Sequence, residues 1–219
     1  MPAGLASDAA PPEPFFDELP AGIRVATGSL RRQAQLLHRR PDVRVVEVRG
    51  NVETRIRKLD EGRFDALVLA EAGLRRLELE RRIACLLEPP VLYPAVGQGA
   101  LGIECRTDDD QCRFLLEQIT DRATFAAVRA ERALLAQLRA GCHAPVGAWS
   151  EVNGEELTVE AVVLSRDGRE RLLARKAGTV NEPEELGRAI AADLIAQGAA
   201  RLVAEPGGSE DSPMDGPGI

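Results

Sequence analysis

One pattern occurs twice in residues 23–58, which read IRVATGSLRRQAQLLHRRPDVRVVEVRGNVETRIRK. A short apolar run is followed by a glycine-containing turn and then by helix-forming residues, first at Thr27-Gly28-Ser29 and again at Arg49-Gly50-Asn51. This order predicts a strand, a turn and a helix in each copy, with the helices over Leu30–Arg40 and Val52–Glu61. In a parallel sheet, both turns would lie at the same edge.

The two turns are suited to binding anions. A turn that leads into a helix leaves backbone N–H groups unpaired at the positive end of the helix dipole, and Thr27 and Ser29 add hydroxyl groups. Between Arg24 and Lys58 there are ten cations and three acids, whereas the whole chain of 219 residues carries a net charge of −7. Arginine also binds carboxylates through a planar fork of donors that lysine lacks. The sequence therefore predicts an anion site on an otherwise acidic protein.

The rest of the first half is expected to complete a parallel α/β sheet. Phe64–Ala70 is a nearly continuous apolar run, typical of a strand that is covered on both faces, and Leu74–Leu87 is predicted to be helical. Between Val91 and Arg106, two apolar pieces flank Gly97-Gln98-Gly99. This glycine pair indicates either a crossover where the backbone approaches a ligand or a simple bend within a strand.

The second half has the signals of a small antiparallel sheet packed on helices. A helix is predicted from about Ala123 to Gly141, and Asn153-Gly154 and Asp167-Gly168 are strong hairpin turns. They separate three predicted strands, over residues 146–152, 157–164 and 170–177. A closing helix is expected over Glu184–Gln197.

Composition excludes several classes of protein. No apolar run is long enough for a membrane span, and no basic-then-apolar signal segment is visible, so we expect a cytoplasmic protein without membrane association. The cysteines, at 85, 105, 112 and 142, form no C-x-x-C motif, and with only two histidines they support neither a disulfide framework nor a metal site. An acidic total and 3% aromatic residues argue against nucleic acid as a partner.

Cys142 lies in the sequence LRAGCHAPVG, between the predicted helix and the first hairpin. Glycine before it and proline after it favour a fixed, non-helical position. Because the end of a helix is the negative end of its dipole, this position disfavours a thiolate. The residues alone leave two interpretations open, a presented thiol and a small buried apolar side chain.

Six motifs together resemble the porphobilinogen deaminase (hydroxymethylbilane synthase) family. They are ATGSLRRQ (26–33), LHRRPD (37–42), VRGNVETR (48–55), AGLRRL (72–77), PAVGQGALGIECR (94–106) and GCHAPVG (141–147). They occur in the family's order and spacing and cover residues 15 to about 205. The resemblance implies an α/β fold: a parallel-sheet domain like those of periplasmic binding proteins, then a small α+β domain with a three-stranded antiparallel sheet.

The resemblance also implies a function. The family condenses porphobilinogen, with release of ammonia, into the linear tetrapyrrole hydroxymethylbilane, on a dipyrromethane cofactor attached to a cysteine through a thioether. Cys142 occupies the position of that cysteine. Residues at the positions that hold cofactor carboxylates are Thr27, Ser29, Arg31, Arg32, Arg49, Gly50 and Arg55. Substrate and growing oligopyrrole would be bound by Arg49, Arg55, Arg76 and Gln98, whereas no catalytic residue is identified in this chain.

By the same resemblance the chain divides into five parts. They are a disordered lead-in (1–14), an α/β anion- and cofactor-binding domain (15–99), a crossover segment belonging to the family's first domain (100–117), an α+β domain with the cofactor cysteine (118–205) and a disordered tail (206–219). Family members begin with a domain of roughly a hundred residues, including the proton-handling aspartate, for which we find no counterpart here. Gly28 also stands where serine is more usual.

Three hypotheses follow from this. The chain is part of a full synthase, or it is a catalytically incomplete fragment or paralogue that only binds tetrapyrrole carboxylates or pairs with a separately encoded first domain. The third is a ligand-binding module of periplasmic-receptor ancestry, against which the lack of a signal segment and the presence of Cys142 both argue. The family is usually monomeric. The sequence leaves open the oligomeric state and the tetrapyrrole end product that the chain serves.

Overall fold

The computed structural model describes residues 15–141 and 144–204. The predicted lead-in (1–14), Cys142 with His143, and the predicted tail (206–219) lie outside the described residues. Helices and strands of the first half are α1 (Phe15–Glu18), β1 (Arg24–Ala26), α2 (Leu30–Arg39), β2 (Arg44–Val46), α3 (Val52–Asp60), β3 (Ala66–Leu67) and α4 (Glu71–Arg76). Those of the second half are α5 (Asp110–Ile119), α6 (Arg122–Gln137), β4 (Val146–Asn153), β5 (Glu156–Leu164), β6 (Arg171–Thr179), α7 (Pro183–Ala196) and α8 (Ala199–Ala204).

The first sheet is parallel, with the order β2-β1-β3. Its central strand is the most buried, because Val25 and Ala26 are covered by helices and neighbouring strands. Ser29 and Asn51 cap α2 and α3, and each side-chain oxygen accepts a backbone N–H three residues on. Because β1 and β2 are parallel, both caps lie at the same edge of the sheet, and the parallel α/β prediction is confirmed.

The second sheet is an antiparallel meander, β4-β5-β6. Gly154 and Gly168 have positive φ angles of 63° and 73°, which the two tight turns require. Helices α6 and α7 pack on this sheet around a core that includes Leu134, Val159 and Ile190. The prediction of a three-stranded antiparallel sheet with helices is therefore confirmed.

The structure corrects three local predictions. The predicted helix over Leu74–Leu87 ends at Arg76, because Glu78 takes a left-handed conformation with φ 57°, and only a short 3₁₀ turn at Glu80–Arg82 follows. The predicted strand over Phe64–Ala70 pairs only at Ala66–Leu67. Within Val91–Arg106 there is no strand, since the chain turns at the glycines that interrupt it.

The two sheets are joined through Tyr93, which lies fully buried between α2 and β5. Its ring packs with Ala34, Val162 and Leu164, and its hydroxyl donates to Glu160. Burial, together with the Glu160 carboxylate, raises the pKa of Tyr93 to about 12. The phenol therefore stays a hydrogen-bond donor across the ordinary pH range.

Within the described ranges, no helix is long and apolar enough to cross a lipid bilayer. In the same residues, no group of three or more His, Cys, Asp or Glu side chains could hold a metal ion.

Candidate functional site

The turn after β1 is fixed by its own side chains. Thr27 is buried, its N–H donates to the Val46 carbonyl at 3.0 Å, and its Oγ1 accepts the Ser29 N–H at 3.3 Å. Ser29 Oγ in turn accepts the Arg32 N–H at 3.4 Å. Leu30 is the first residue of α2, so its N–H precedes the first bond of the helix, from the Gln33 N–H to the Ser29 carbonyl. The turn thus presents donors at the positive end of α2.

Gly28 is required by the backbone around it. A Cβ at this position would lie 2.8 Å from the Val48 carbonyl oxygen. The family resemblance led us to expect a serine hydroxyl here, which Gly28 lacks. In the structure, it allows the chain after β2 to pass close to the turn after β1.

Arg31 and Arg32 follow this turn and are held by backbone carbonyls. Arg31 is only 8% exposed, and its guanidinium donates to the Tyr93 carbonyl and, at 3.3 Å, to Gln98 Oε1. Arg32 donates to the Val68 carbonyl at 3.0 Å. Burial lowers the pKa of Arg31 to about 10, with a smaller contribution from Arg32, and burial also lowers the pKa of Arg32. Both groups still carry a full positive charge at neutral pH.

The turn after β2 adds further cations. Gly50 has φ 119°, and its carbonyl accepts the Arg55 Nε–H at 2.7 Å. Lys58 Nζ donates to the Arg49 carbonyl at 2.9 Å. The Arg55 charge lies close enough to Arg32 to lower the pKa of Arg32. The two turns therefore bring their positive groups together, as the shared sheet edge requires.

These cations differ from the other arginines nearby in their hydrogen-bond partners. Four arginines outside the turns are ion-paired with carboxylates: Arg24 with Asp65, Arg39 with Asp17, Arg40 with Asp42 and Arg57 with Glu61. By contrast, the described partners of Arg31, Arg32 and Arg55 are neutral oxygens. Carbonyls orient a guanidinium without neutralising it, so the charge at this edge remains available to a ligand.

Two predicted site residues differ from this group. Arg49 is bound by Glu47 at 2.7 Å, and its side chain is 87% exposed. Arg76 is exposed at the end of α4 and forms no hydrogen bond or ion pair within the described part of the chain. Cys142 lies outside the described residues. The structure thus links Thr27 with Ser29, Arg31 with Gln98, and Arg55 with Gly50 and Arg32.

A cleft of about 480 Å³ opens beside these cations. Arg31, Arg32 and Gln98 line one part of it, and Trp149 of β4 lines another. The remaining wall is mostly apolar and comes from residues 65–71 and 82–89. A mostly apolar cleft with the Arg31 and Arg32 guanidinium groups in its wall suits a flat, apolar molecule that carries carboxylates.

Sequence reasoning missed Glu131, which ties the glycine turn to the second sheet. Glu131 is buried, and its carboxylate accepts the Gly97 N–H and the Ser150 hydroxyl, each at 2.7 Å. Gln98, the next residue of the turn, contacts Arg31. A signal was present, because an acid stands on the apolar stripe of α6 between Ala130 and Leu134.

Comparisons with known proteins agree with this geometry. Residues 9–113 match the family model described as "Porphobilinogen deaminase, dipyromethane cofactor binding domain", and residues 125–196 match "Porphobilinogen deaminase, C-terminal domain". Similar curated proteins, each named porphobilinogen deaminase, come from Roseiflexus sp. (48% identical over 85% of this chain) and Desulforudis audaxviator (51% identical over 86%). The chain spans about 61% of the length of either relative. On these matches, the chain belongs to the porphobilinogen deaminase family.

Proposed function

We propose that this chain forms the cofactor- and substrate-binding part of a hydroxymethylbilane synthase, a transferase of tetrapyrrole biosynthesis. The reaction condenses porphobilinogen units stepwise into hydroxymethylbilane and releases one ammonia per unit. The observation that carries the proposal is that Arg31 and Arg32, whose partners among the described residues are neutral oxygens, line a mostly apolar cleft, with Arg55 close to Arg32. Each porphobilinogen carries an acetate and a propionate, so an oligopyrrole needs both features. A cytoplasmic location stays a prediction.

The residues that the structure describes fit a dipyrromethane. Arg32 and Arg55 would bind its carboxylates, the hydroxyls of Thr27 and Ser29 would add donors, and the apolar wall would cover the pyrrole rings. Arg31 would bind a carboxylate while its bonds to Tyr93 and Gln98 fix its orientation. When bound, the dipyrromethane supplies the terminal pyrrole carbon to which new units are added. Arg49, Gly50 and Arg76, which lie nearer the open surface, are proposed to contact the longer oligopyrrole.

Cys142 is proposed as the attachment point through a thioether. The residues on either side of 142–143 support this position. Gly141 and Ala144 are joined by a backbone hydrogen bond of 3.0 Å, and β4 begins two residues after Ala144. Trp149, which lines the cleft, is on the same strand. The described chain from Ala144 therefore leads into the strand that carries Trp149 of the cleft wall.

Intact mass spectrometry of the purified chain tests the attachment. Wild type should carry a two-pyrrole adduct that is absent from Cys142→Ser. Cys85→Ser is the matched control, because Cys85 lines the cleft but is not the proposed attachment point, so this variant should keep the adduct. An unmodified wild-type protein, or an adduct that survives in Cys142→Ser, would contradict the proposal.

A second candidate function is binding without turnover. Three acids line the cleft, and two of them are bound by arginine: Asp65 by Arg24 at 2.7 Å and Glu71 by Arg75 at 2.6 Å. Glu88 is the third, and it has no ion-pair partner among the residues that the structure describes. A proton-handling acid must reach the reacting group. With two of the three acids occupied, we expect the chain alone to release little hydroxymethylbilane.

Ammonia release from porphobilinogen distinguishes the two functions. Sustained turnover by the purified chain, lost in Glu88→Gln and retained in Glu71→Gln, would show that this chain holds a complete catalytic centre. Binding of porphobilinogen oligomers without ammonia release would support the binding-only function.

We also propose that the predicted crossover segment (100–117) binds the first domain of the family's proteins, which this chain does not cover. Helix α5 has no buried residue, although it carries Phe114, Leu115 and Ile119, and Leu101 before it is 95% exposed. About two fifths of the length of the matched relatives lies outside the part that the chain covers. A separately encoded first domain of that size would cover this apolar face.

Co-expression tests this docking. The unmatched part of the Roseiflexus relative, given an affinity tag, should retain this chain on the resin. Phe114→Asp should reduce retention at least tenfold, whereas Leu173→Asp, an exposed apolar position on β6, should leave it unchanged. Equal retention of both variants would contradict the assignment of this surface.

A further inference from the structure

Cys105 and Cys112 lie on the two sides of one tight turn. Cys105 directly precedes the turn, which the Asp109 N–H closes on the Arg106 carbonyl at 3.2 Å. Cys112 is in the first turn of α5, where its N–H donates to Asp109 Oδ1 at 2.9 Å. The turn therefore returns the chain on itself, and the Cys105 thiol lies close enough to Cys112 to contribute to the raised pKa of Cys112.

The surroundings leave both thiols accessible. Each cysteine is free and half-buried, and α5 has no buried residue along its length. The only ion pair at the turn joins Arg106 and Asp109 at 3.6 Å, among the residues that the structure describes. Burial, with smaller contributions from Cys105 and Asp109, raises the pKa of Cys112. A protonated thiol reacts slowly with disulfides, so the pair is not built as a fast nucleophile.

We propose that Cys105 and Cys112 form a redox-sensitive dithiol, which converts reversibly to an intramolecular disulfide. The oxidant is a small disulfide such as oxidised glutathione. One cysteine sulfur attacks it and releases one glutathione, and the second cysteine sulfur then displaces the other. The Sγ–Sγ bond forms, the glutathione disulfide bond breaks, and the two electrons and two protons pass to two glutathione thiols.

The consequence is a cross-link between α5 and the segment before it. In the reduced protein, the first turn of α5 is held to that segment by the Arg106–Asp109 contacts. A disulfide would add a covalent closure of the same short loop. The amides of α5, on an otherwise unpacked helix, should then exchange with solvent more slowly. This inference does not depend on the proposed synthase function.

The other described cysteine is unsuited to this role. Cys85 lies in the wall of the cleft, and burial raises the pKa of its thiol. None of the interactions of described residues joins Cys85 to another thiol. It therefore serves as an internal control in the same protein.

The test equilibrates the full chain in glutathione buffers of increasing oxidised fraction, followed by acid quenching, alkylation and peptide mapping. Trypsin cuts after Arg106, so the disulfide appears as two linked peptides, 83–106 and 107–113. We expect this linked species to form reversibly, with two fewer alkylated thiols and at least tenfold slower amide exchange in α5. Fragmentation of peptide 83–106 shows which of its two cysteines is linked.

Three variants complete the experiment. Cys85→Ser should keep the linked species, and both Cys112→Ser and Cys105→Ala should lose it while retaining the wild-type circular dichroism. Separate glutathione adducts on Cys105 and Cys112 without a link, or a link from Cys85 to Cys112, would overturn the proposal. A link found only between two protein molecules would do the same.

Discussion

Arg31 and Arg32 are neighbours in the sequence but act on different parts of the site. Arg31 is nearly enclosed, and its hydrogen bonds to Tyr93 and Gln98 connect α2 to the glycine turn. Arg32 has one carbonyl partner, Val68, and lies against the second positive turn. Loss of Arg31 therefore affects both folding and binding, whereas Arg32 reports on binding more directly.

Arg32→Gln should weaken carboxylate binding with little effect on folding. A charge-assisted hydrogen bond contributes about 1.5–3 kcal/mol, so the dissociation constant should rise about 10- to 100-fold. The ligand is an octacarboxylate porphyrin, and the readout is quenching of Trp149, the single tryptophan, which lines the cleft. Arg39→Gln is the control, because Arg39 is paired with Asp17 outside the cleft. Equal affinities of the two variants would contradict the role of Arg32.

Gly28→Ser should destabilise the protein, although the family resemblance predicts serine at this position. The added Cβ would meet the Val48 carbonyl at 2.8 Å, and moving backbone apart in a packed turn costs about 1–3 kcal/mol. Urea unfolding measures the change in the free energy of unfolding. Gly102→Ser is the matched control, since nothing lies within 4 Å of a Cβ there. An unchanged unfolding midpoint for Gly28→Ser would show that the two turns separate easily.

At the scale of elements, β3 is attached to the sheet by few backbone bonds and by one side-chain pair. Only Ala66–Leu67 pairs with β1, but Arg24 of β1 donates through its backbone N–H and its guanidinium to the Asp65 carboxylate. The same guanidinium also donates to the carbonyls of Gly62 and Arg63. Because β3 forms part of the cleft wall, this pair helps to define the cleft.

Asp65→Asn should remove the contribution that the ionised Asp65 carboxylate makes to the free energy of unfolding. The Arg24 hydrogen bonds lower the pKa of Asp65 from 3.8 to about 2, so the unfolded chain binds the proton more tightly than the folded one. The stabilisation is present above pH 3.8 and is lost as the pH falls towards about 2. Wild type should thus exceed Asp65→Asn in stability at pH 7, and the difference should shrink over that interval. Urea titrations at a series of pH values measure it, and a difference independent of pH would contradict the assignment.

At the scale of the whole molecule, the parts of the fold that depend on a few neighbouring residues can be predicted from the sequence. The caps at Ser29 and Asn51 and the turns at Asn153-Gly154 and Asp167-Gly168 predicted both sheets, because each depends on a few adjacent residues. Residues 77–109 have no regular period, so their path depends on distant contacts. Gly147 is an example, since the close approach of Tyr93 and Pro94, from the segment between the two sheets, explains why it is glycine.

Gly147→Ala should reduce both the stability of the fold and the affinity of the cleft for a porphyrin. The added Cβ would lie 2.6 Å from Tyr93 Cβ and 3.2 Å from the Tyr93 carbonyl oxygen, which is the acceptor for Arg31. Displacement of this carbonyl moves the anchor of Arg31, so porphyrin affinity should fall about tenfold, in addition to a loss of about 1–3 kcal/mol in the free energy of unfolding.

Gly178→Ala separates the two effects of that substitution. Its Cβ would meet only the Leu186 side chain, at 3.3 Å, within the second sheet and its helix. Overpacking there should reduce stability and leave affinity unchanged, because neither Gly178 nor Leu186 is among the described residues that line the cleft or bond to Arg31. If Gly178→Ala weakened porphyrin binding as much as Gly147→Ala does, general loosening of the fold would account for both. If only Gly147→Ala lost porphyrin affinity, the effect would have to pass from β4 to the Tyr93 carbonyl and from that carbonyl to the guanidinium of Arg31.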